Sequence, residues 1–214
     1  NAKLEIVKSY NYQIVKRNLK AYEFKSTGLN GFGKLKIGLL GEHQIRNCIL
    51  AVRVLGILVS EYGIAIDSEA IRRGLEKARW PGRLELLSEN PCVIIDGAHN
   101  RHGAVVLDNF LKYHFKSKSK RSGKMIGVIG VLGDKDTNGI VDETVSYFDM
   151  VIVTEPENKR AMQIGDLKAL VEKKNDLVEG IKNAGEAVER ALECAGPDDC
   201  VVIYGSLYLI GHAR

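Results

Sequence analysis

Apolar and polar positions follow two different rhythms along this chain, and the change between them falls near residue 81. Roughly the first 40 residues alternate in short runs, LEIVK, YQIVKR, AYEF and KLKIGLL. They are separated by Ser9-Tyr10-Asn11 and by the glycine-rich stretch from Gly28 to Gly33, a pattern that predicts antiparallel strands. With little helix to bury against, these strands are expected to complete a sheet lying outside the chain. Two helices follow. The first is expected over about His43 to Tyr62, with Ile45, Ile49, Val52 and Leu55 on one face. The second starts at Asp67-Ser68, with Glu69 near its start, and runs to about Arg79. Pro81-Gly82 then breaks the chain and marks the expected domain boundary.

From Arg83 onward, strand and helix alternate steadily. Apolar strands are predicted at about Leu84–Leu87, Val93–Ile95, Met125–Val131, Met150–Thr154, Leu177–Ile181 and Val201–Tyr204, with helical stretches between them. That order predicts an α/β fold, a doubly wound and mostly parallel sheet of about six strands flanked by helices. The densest polar chemistry stands in VIIDGAHN, Val93 to Asn100. A wholly apolar run there reads as a strand buried on both faces. The residues at its end therefore fall on the carboxyl edge of the sheet, where open α/β folds bind ligands. The helix expected over about Arg101 to Phe115 turns its positive N-terminus toward the same place. A plainer assignment competes: Asp96 caps that helix, Gly97 makes the turn, and His99 and Asn100 are solvated.

Composition narrows the class. At 214 residues and 23.6 kDa, one large domain or two small ones fit. The hydrophobic share of 45% supports a real core, and no apolar run is long enough to cross a bilayer. A net charge of +4 suits a handler of polyanions such as nucleotides but is too weak to argue for nucleic acid. Much of the excess sits in KYHFKSKSKRSGK, Lys112 to Lys124, read as a solvated loop. Cys48, Cys92, Cys194 and Cys200 show no CxxC pairing, so neither a zinc site nor a disulfide framework is indicated. A reducing cytoplasm is the expected compartment.

Taken in order, GEHQIRNCILAV (Gly41 to Val52), WPGRLE (Trp80 to Glu85), VIIDGAHN, GVLGDKD (Gly130 to Asp136) and GSLYLIGHAR (Gly205 to Arg214) resemble the folylpolyglutamate synthase/dihydrofolate synthase family. That family is a branch of the Mur ligase superfamily of ATP-dependent amide-forming enzymes, and the resemblance covers about Leu39 to the last residue. It implies a ligase that phosphorylates the terminal carboxylate of a folate with ATP and joins L-glutamate to it through an acyl phosphate, with Mg2+ as the metal. It also implies that residues 1–81 end a central ATP-binding domain and that 82–214 form the C-terminal Rossmann-like domain. The protein is expected to act on small molecules (ATP, folate and L-glutamate) as a monomer, without nucleic acid or membrane.

The resemblance assigns roles residue by residue. Asn47, the asparagine of HQxxN, would meet adenine, for which an amide that both donates and accepts is suited. An exposed helical asparagine is the ordinary alternative. Arg83 of the Pro-Gly-Arg turn would reach the nucleotide with a fixed positive fork, the alternative being a surface arginine or a partner of Glu85. Asp96 would hold the ribose hydroxyls. His99 is implied at the incoming glutamate or the reacting phosphate, as the catalytic residue. Ser206 would bind glutamate or simply cap the last helix. Lys135, between Asp134 and Asp136, reads better as salt-bridged than as a phosphate ligand, and Trp80 as a packing anchor. His43, His102, His114 and His212 lack ligand spacing and read as surface residues.

Those enzymes grip phosphate with a glycine-rich loop ending in Gly-Lys-Ser or Gly-Lys-Thr. LNGFGKLKIG, Leu29 to Gly38, has no hydroxyl residue after Lys34 and lies between predicted strands, so it reads as a hairpin turn. Since the sequence also opens at Asn1 without a methionine, it is read as the C-terminal part of a longer enzyme, inactive alone. A cell-wall Mur ligase and a non-catalytic nucleotide-binding module are the rival readings.

Overall fold

The computed structural model describes residues 6–7, 10–29, 31–115 and 122–213. The expected strand LEIVK falls mostly outside these residues, as does the middle of the basic stretch after Lys112. The chain forms two compact units, Asn1–Trp80 and Pro81–Arg214.

In the first unit, β1 (Tyr12–Arg17), β2 (Tyr22–Ser26) and β3 (Lys34–Ile37) form an antiparallel sheet in that order. Gly31 and Gly33 take positive φ in the turn before β3, so the glycine-rich stretch is a hairpin connection. The helices are α1 (Glu42–Tyr62) and α2 (Ser68–Lys77). Asp67 caps α2 by accepting from the Ala70 N–H, and Gly63 ends α1 in the left-handed conformation. The strands do find something to bury against. Tyr22, Phe24, Leu35 and Ile37 are buried, as are Ile45, Cys48, Ile49 and Val52 of α1 and Ile71 of α2. Here β2 meets α1 and β3 meets α2. The expectation that they lack a packing partner underrated two amphipathic helices that follow directly in sequence.

The second unit runs β4 (Glu85–Glu89), β5 (Cys92–Asp96), α3 (Arg101–His114), β6 (Met125–Ile129), α4 (Thr137–Thr144), β7 (Met150–Val153), α5 (Ile164–Val171), β8 (Val178–Gly180), α6 (Ala184–Cys194), β9 (Cys200–Tyr204) and α7 (Leu207–His212). Its six strands lie in the order β4-β5-β9-β6-β7-β8. Five are parallel, as expected, while β4 pairs antiparallel with β5. Only Asn90 and Pro91 separate β4 from β5, which allows a hairpin and no crossover helix.

Strand alternation sorts the core onto two faces. Val93, Ile95, Ile126, Val128, Val201 and Ile203 pack with Ala187, Ala191, Leu209 and Ile210 of α6 and α7. On the other face, α3 packs against α4 and α4 against α5. There Phe148 stacks on Tyr204 with ring centroids 5.6 Å apart, and the Tyr204 hydroxyl meets Thr144 Oγ1 at 2.9 Å. Gly127 is what admits the Phe148 ring, since a Cβ there would stand 2.9 Å from it. The chain therefore leaves β5 and β6 toward one face (α3, α4) and leaves β9, which lies between them, toward the other (α7). That divergence is a topological switch point, the place where open α/β sheets form a crevice.

Candidate functional site at the sheet's carboxyl edge

Asp96 is the last residue of β5 and stands in register with Tyr204 of β9. The segments that follow, Gly97 to Asn100 and Gly205-Ser206, therefore run side by side over the switch point. Asp96 is buried, and both its oxygens are engaged: Oδ2 accepts the Leu84 N–H at 2.8 Å and Oδ1 accepts the Ala98 N–H at 2.9 Å. It does not cap α3. Asn100 does, accepting the Gly103 N–H at 2.8 Å. The plain assignment of the cap to Asp96 fails because four residues separate it from the first helical turn.

Those bonds form one side of a clamp on the Pro-Gly-Arg turn. Gly97 N–H donates to the Gly82 carbonyl at 2.7 Å, and Gly82 N–H donates to Glu85 Oε2 at 2.7 Å. Leu84 is held at φ 46 with its side chain fully buried, the one non-glycine residue with positive φ among those described. A leucine accepts such a backbone only where its surroundings overdetermine it. Sterics close the clamp, because a Cβ at Gly82 would stand 2.2 Å from Ile210 and one at Gly97 2.5 Å from Leu207. Arg83, between two fixed residues, is thus presented at the surface beside Asp96 and His99, and both influence the Asp96 carboxyl.

His99 is half-buried, and its Nδ1 lies 2.7 Å from the Gly97 carbonyl. A carbonyl only accepts, so Nδ1 carries the proton and, in the neutral ring, Nε2 is the acceptor. Ser206 is buried and caps α7 by accepting the Tyr208 N–H at 3.1 Å. Lys135 lies 3.6 Å from Asp134, which also pairs with Arg160 at 3.0 Å, matching the salt-bridged reading. Among the other histidines His102 and His212 are exposed, whereas His43 and His114 are half-buried.

Asn47 belongs to the first unit. It sits on an exposed turn of α1 and donates from Nδ2 to Oε1 of the buried Gln44 at 3.0 Å, which sets the plane of its amide. Trp80, expected to be a packing anchor, is 62% exposed. Among the described residues no group of three histidine, cysteine or acidic side chains could hold a metal ion, and no helix is long and apolar enough to cross a membrane. Sequence reasoning missed Glu85 and Leu84 as supports of the clamp, and Gln44 as the partner of Asn47. Glu85 had a signal, its place inside the WPGRLE motif; the strain at Leu84 had none.

Burial pushes the Asp96 carboxyl up from its ordinary 3.8 to about 6, against the pull of its two backbone donors, Arg83 and His99. The folded protein thus holds this proton to higher pH than the unfolded chain. Its contribution to stability is full below about pH 4 and is lost as pH rises through about 6, by about 3 kcal/mol in all. In urea titrations across that window, Asp96→Asn should remove this downward component; an unchanged pH profile would count against the buried carboxyl as its source.

Such a domain, doubly wound and with polar groups gathered at the carboxyl-edge switch point, belongs to the open α/β class that forms its ligand crevice at that place. Residues 82–207 match the family model described as Mur ligase, glutamate ligase domain, and the chain belongs to that family. A probable bifunctional folylpolyglutamate synthase/dihydropteroate synthase of Haloferax volcanii is 35% identical over 188 residues, 84% of this chain and 20% of that protein. The dihydrofolate synthase/folylpolyglutamate synthase of Mycobacterium tuberculosis is 32% identical over 207 residues, 87% of this chain and 41% of that one. Among solved structures, Mycobacterium tuberculosis folylpolyglutamate synthase complexed with ADP matches with a TM-score of 0.79 and 30% identity, over 95% of this chain and 47% of that one. A bifunctional folylpolyglutamate synthase/dihydrofolate synthase with Mn, AMPPNP and L-glutamate bound matches with a TM-score of 0.70 and 26% identity, over 94% of this chain and 45% of that one. The chain therefore spans less than half the length of each of these relatives.

Proposed function

We propose that this chain is the adenosine- and glutamate-recognising part of an ATP-dependent ligase that adds L-glutamate to a folate. The observation that carries the reading is the clamp, which ties the Pro-Gly-Arg turn to the end of β5 and so keeps Arg83 near Asp96 and His99. Relatives crystallised with ADP and with L-glutamate support it. Residues 1–81 are assigned to the end of a central ATP-binding domain and 82–214 to the C-terminal domain. The enzyme works as a monomer in a reducing cytoplasm.

In this reading, the folate carboxylate attacks the γ-phosphorus of ATP, ADP leaves, and the glutamate amine displaces phosphate from the acyl phosphate. Asn47 meets the adenine edge and Arg83 the nucleotide. Asp96 faces the ribose while holding the Leu84 backbone. His99 accepts from the glutamate amine through Nε2, and Ser206 holds a glutamate carboxylate through its hydroxyl proton, since Oγ accepts from Tyr208. The ligands of Mg2+ are assigned to other parts of the enzyme, and among the described residues no group of three histidine, cysteine or acidic side chains could hold an ion.

In an enzyme carrying this chain together with a phosphate-gripping loop, Arg83→Ala should weaken ATP binding by about 1.5–3 kcal/mol, the range for a hydrogen bond to a charged group. Equilibrium titration measures this; unaltered affinity would remove Arg83 from the nucleotide site. ADP release should require a reduced folate and L-glutamate. Release driven instead by a UDP-muramoyl peptide would move the chain to the cell-wall branch.

A further inference from the structure

Two of the four cysteines are brought together by the sheet. Cys92 and Cys200 are the first residues of β5 and β9 and are paired in register on these adjacent parallel strands. Neighbouring strands lie about 4.7–4.9 Å apart, inside the Cα separation of about 4.4–6.8 Å that a disulfide spans. Residues paired in register point to the same face, so the two cysteine side chains project side by side from these strands. They sit at the amino edge of the sheet, the opposite end of these strands from Asp96 and Ser206. Cys92 is 9% exposed and Cys200 3%.

We propose that Cys92 and Cys200 form a peroxide-responsive thiol pair, joined by a reversible disulfide across β5 and β9. The Cys92 thiolate attacks one oxygen of a hydroperoxide, the O–O bond breaks, and Cys92 becomes a sulfenic acid as hydroxide or alkoxide leaves. The Cys200 sulfur then displaces hydroxide from that sulfenic sulfur. The thiol proton joins the leaving hydroxide as water, and the S–S bond forms. Two thiols are oxidised and one peroxide is reduced. Cys92 is the nucleophile because it is the more accessible of the two and because the neighbouring Cys200 side chain holds its pKa below the ordinary cysteine value despite burial. Cys48 has no such neighbour: burial alone pushes its thiol up to about 12, which leaves it inert. Cys194, on α6, is the most accessible cysteine and serves as the internal control for mere exposure.

The bond links the two strands whose far ends carry Gly97 and Gly205, so oxidation tightens the frame of the crevice from the opposite edge. The thiol chemistry itself does not depend on which reaction that crevice performs. The folded chain is treated with a few equivalents of hydrogen peroxide, the remaining thiols are alkylated, and the protein is digested and analysed by mass spectrometry. The expected product is one linked pair of peptides containing Cys92 and Cys200, lost on treatment with dithiothreitol. It should be absent from Cys92→Ser and Cys200→Ser and present in Cys194→Ser. Cys200→Ser should also accumulate a Cys92 sulfenic acid that dimedone traps. Consumption of Cys194 with Cys92 and Cys200 left reduced would overturn the proposal. So would a Cys92 sulfenic acid in the unsubstituted protein with no linked peptide.

Discussion

Gly205→Ala is expected to lower the stability of the second unit by about 3–5 kcal/mol, the sum of two independent costs. Gly205 has φ +107, a conformation that a residue with a Cβ adopts only under strain. It also sits where the segment leaving β9 crosses the one leaving β6. A Cβ would stand 2.7 Å from the Gly130 carbonyl oxygen and 3.2 Å from its carbon. Neither segment can retreat easily, because Gly130 N–H donates to the Tyr204 carbonyl at 3.3 Å and Ser206 is committed to capping α7. The clash is with backbone rather than with the end of a flexible side chain, so it is not relieved by a rotamer change. Gly165, in α5 with open space around its Cβ position, provides the contrast. Gly165→Ala should raise stability by about 0.5–1 kcal/mol through helix propensity. Urea unfolding of both variants measures the two signs. A Gly205→Ala protein as stable as its parent would mean that the two loops do not approach as described.

That crossing explains why parts of the fold were legible and others were not. The alternation of buried strands and amphipathic helices after Arg83 is written in apolar runs such as CVIID and MIGVI, and the parallel sheet follows from it. The direction of β4 depended on a two-residue connection at Asn90-Pro91, which the strand-helix rhythm obscured. Burial of the first-unit strands was missed because it depends on α1 and α2 folding back onto Tyr22, Phe24, Leu35 and Ile37, a tertiary fact that local alternation does not carry.

The site divides in the same way. Asp96 at a strand's end could be anticipated, since an acid directly after a buried apolar run falls at the sheet edge. That both its oxygens hold backbone N–H groups could not, because one donor lies twelve residues earlier, at Leu84. The same holds for Cys92 and Cys200, which are 108 positions apart by their numbers and meet only through sheet order. For Ser206 the sequence left a helix cap and a glutamate ligand equally open; the cap is observed, and the hydroxyl proton is not used by that bond.

The 214-residue chain, incubated with ATP, Mg2+, L-glutamate and a reduced folate, is expected to release no ADP above background. Transfer of a phosphoryl group depends on positioning it and on stabilising charge as it moves, and backbone N–H groups with a lysine and a metal ion do most of both. Within these residues the nearest approach to such a loop is the turn before β3. There Gly31 and Gly33 lead into an antiparallel strand rather than a helix, so no helix N-terminus faces a phosphate. The positive group that the proposed site draws from the clamp is Arg83, and one guanidinium does not surround a γ-phosphate. Affinities for ATP and ADP should therefore lie within a few-fold of each other, since the additional phosphate finds few partners. Calorimetry with both nucleotides and a coupled ADP assay on the same preparation check the two statements together. Folate-dependent ADP release by this chain alone would show that its own residues complete the phosphate site, and the division of labour between its clamp and a separate phosphate-gripping loop would fall with it.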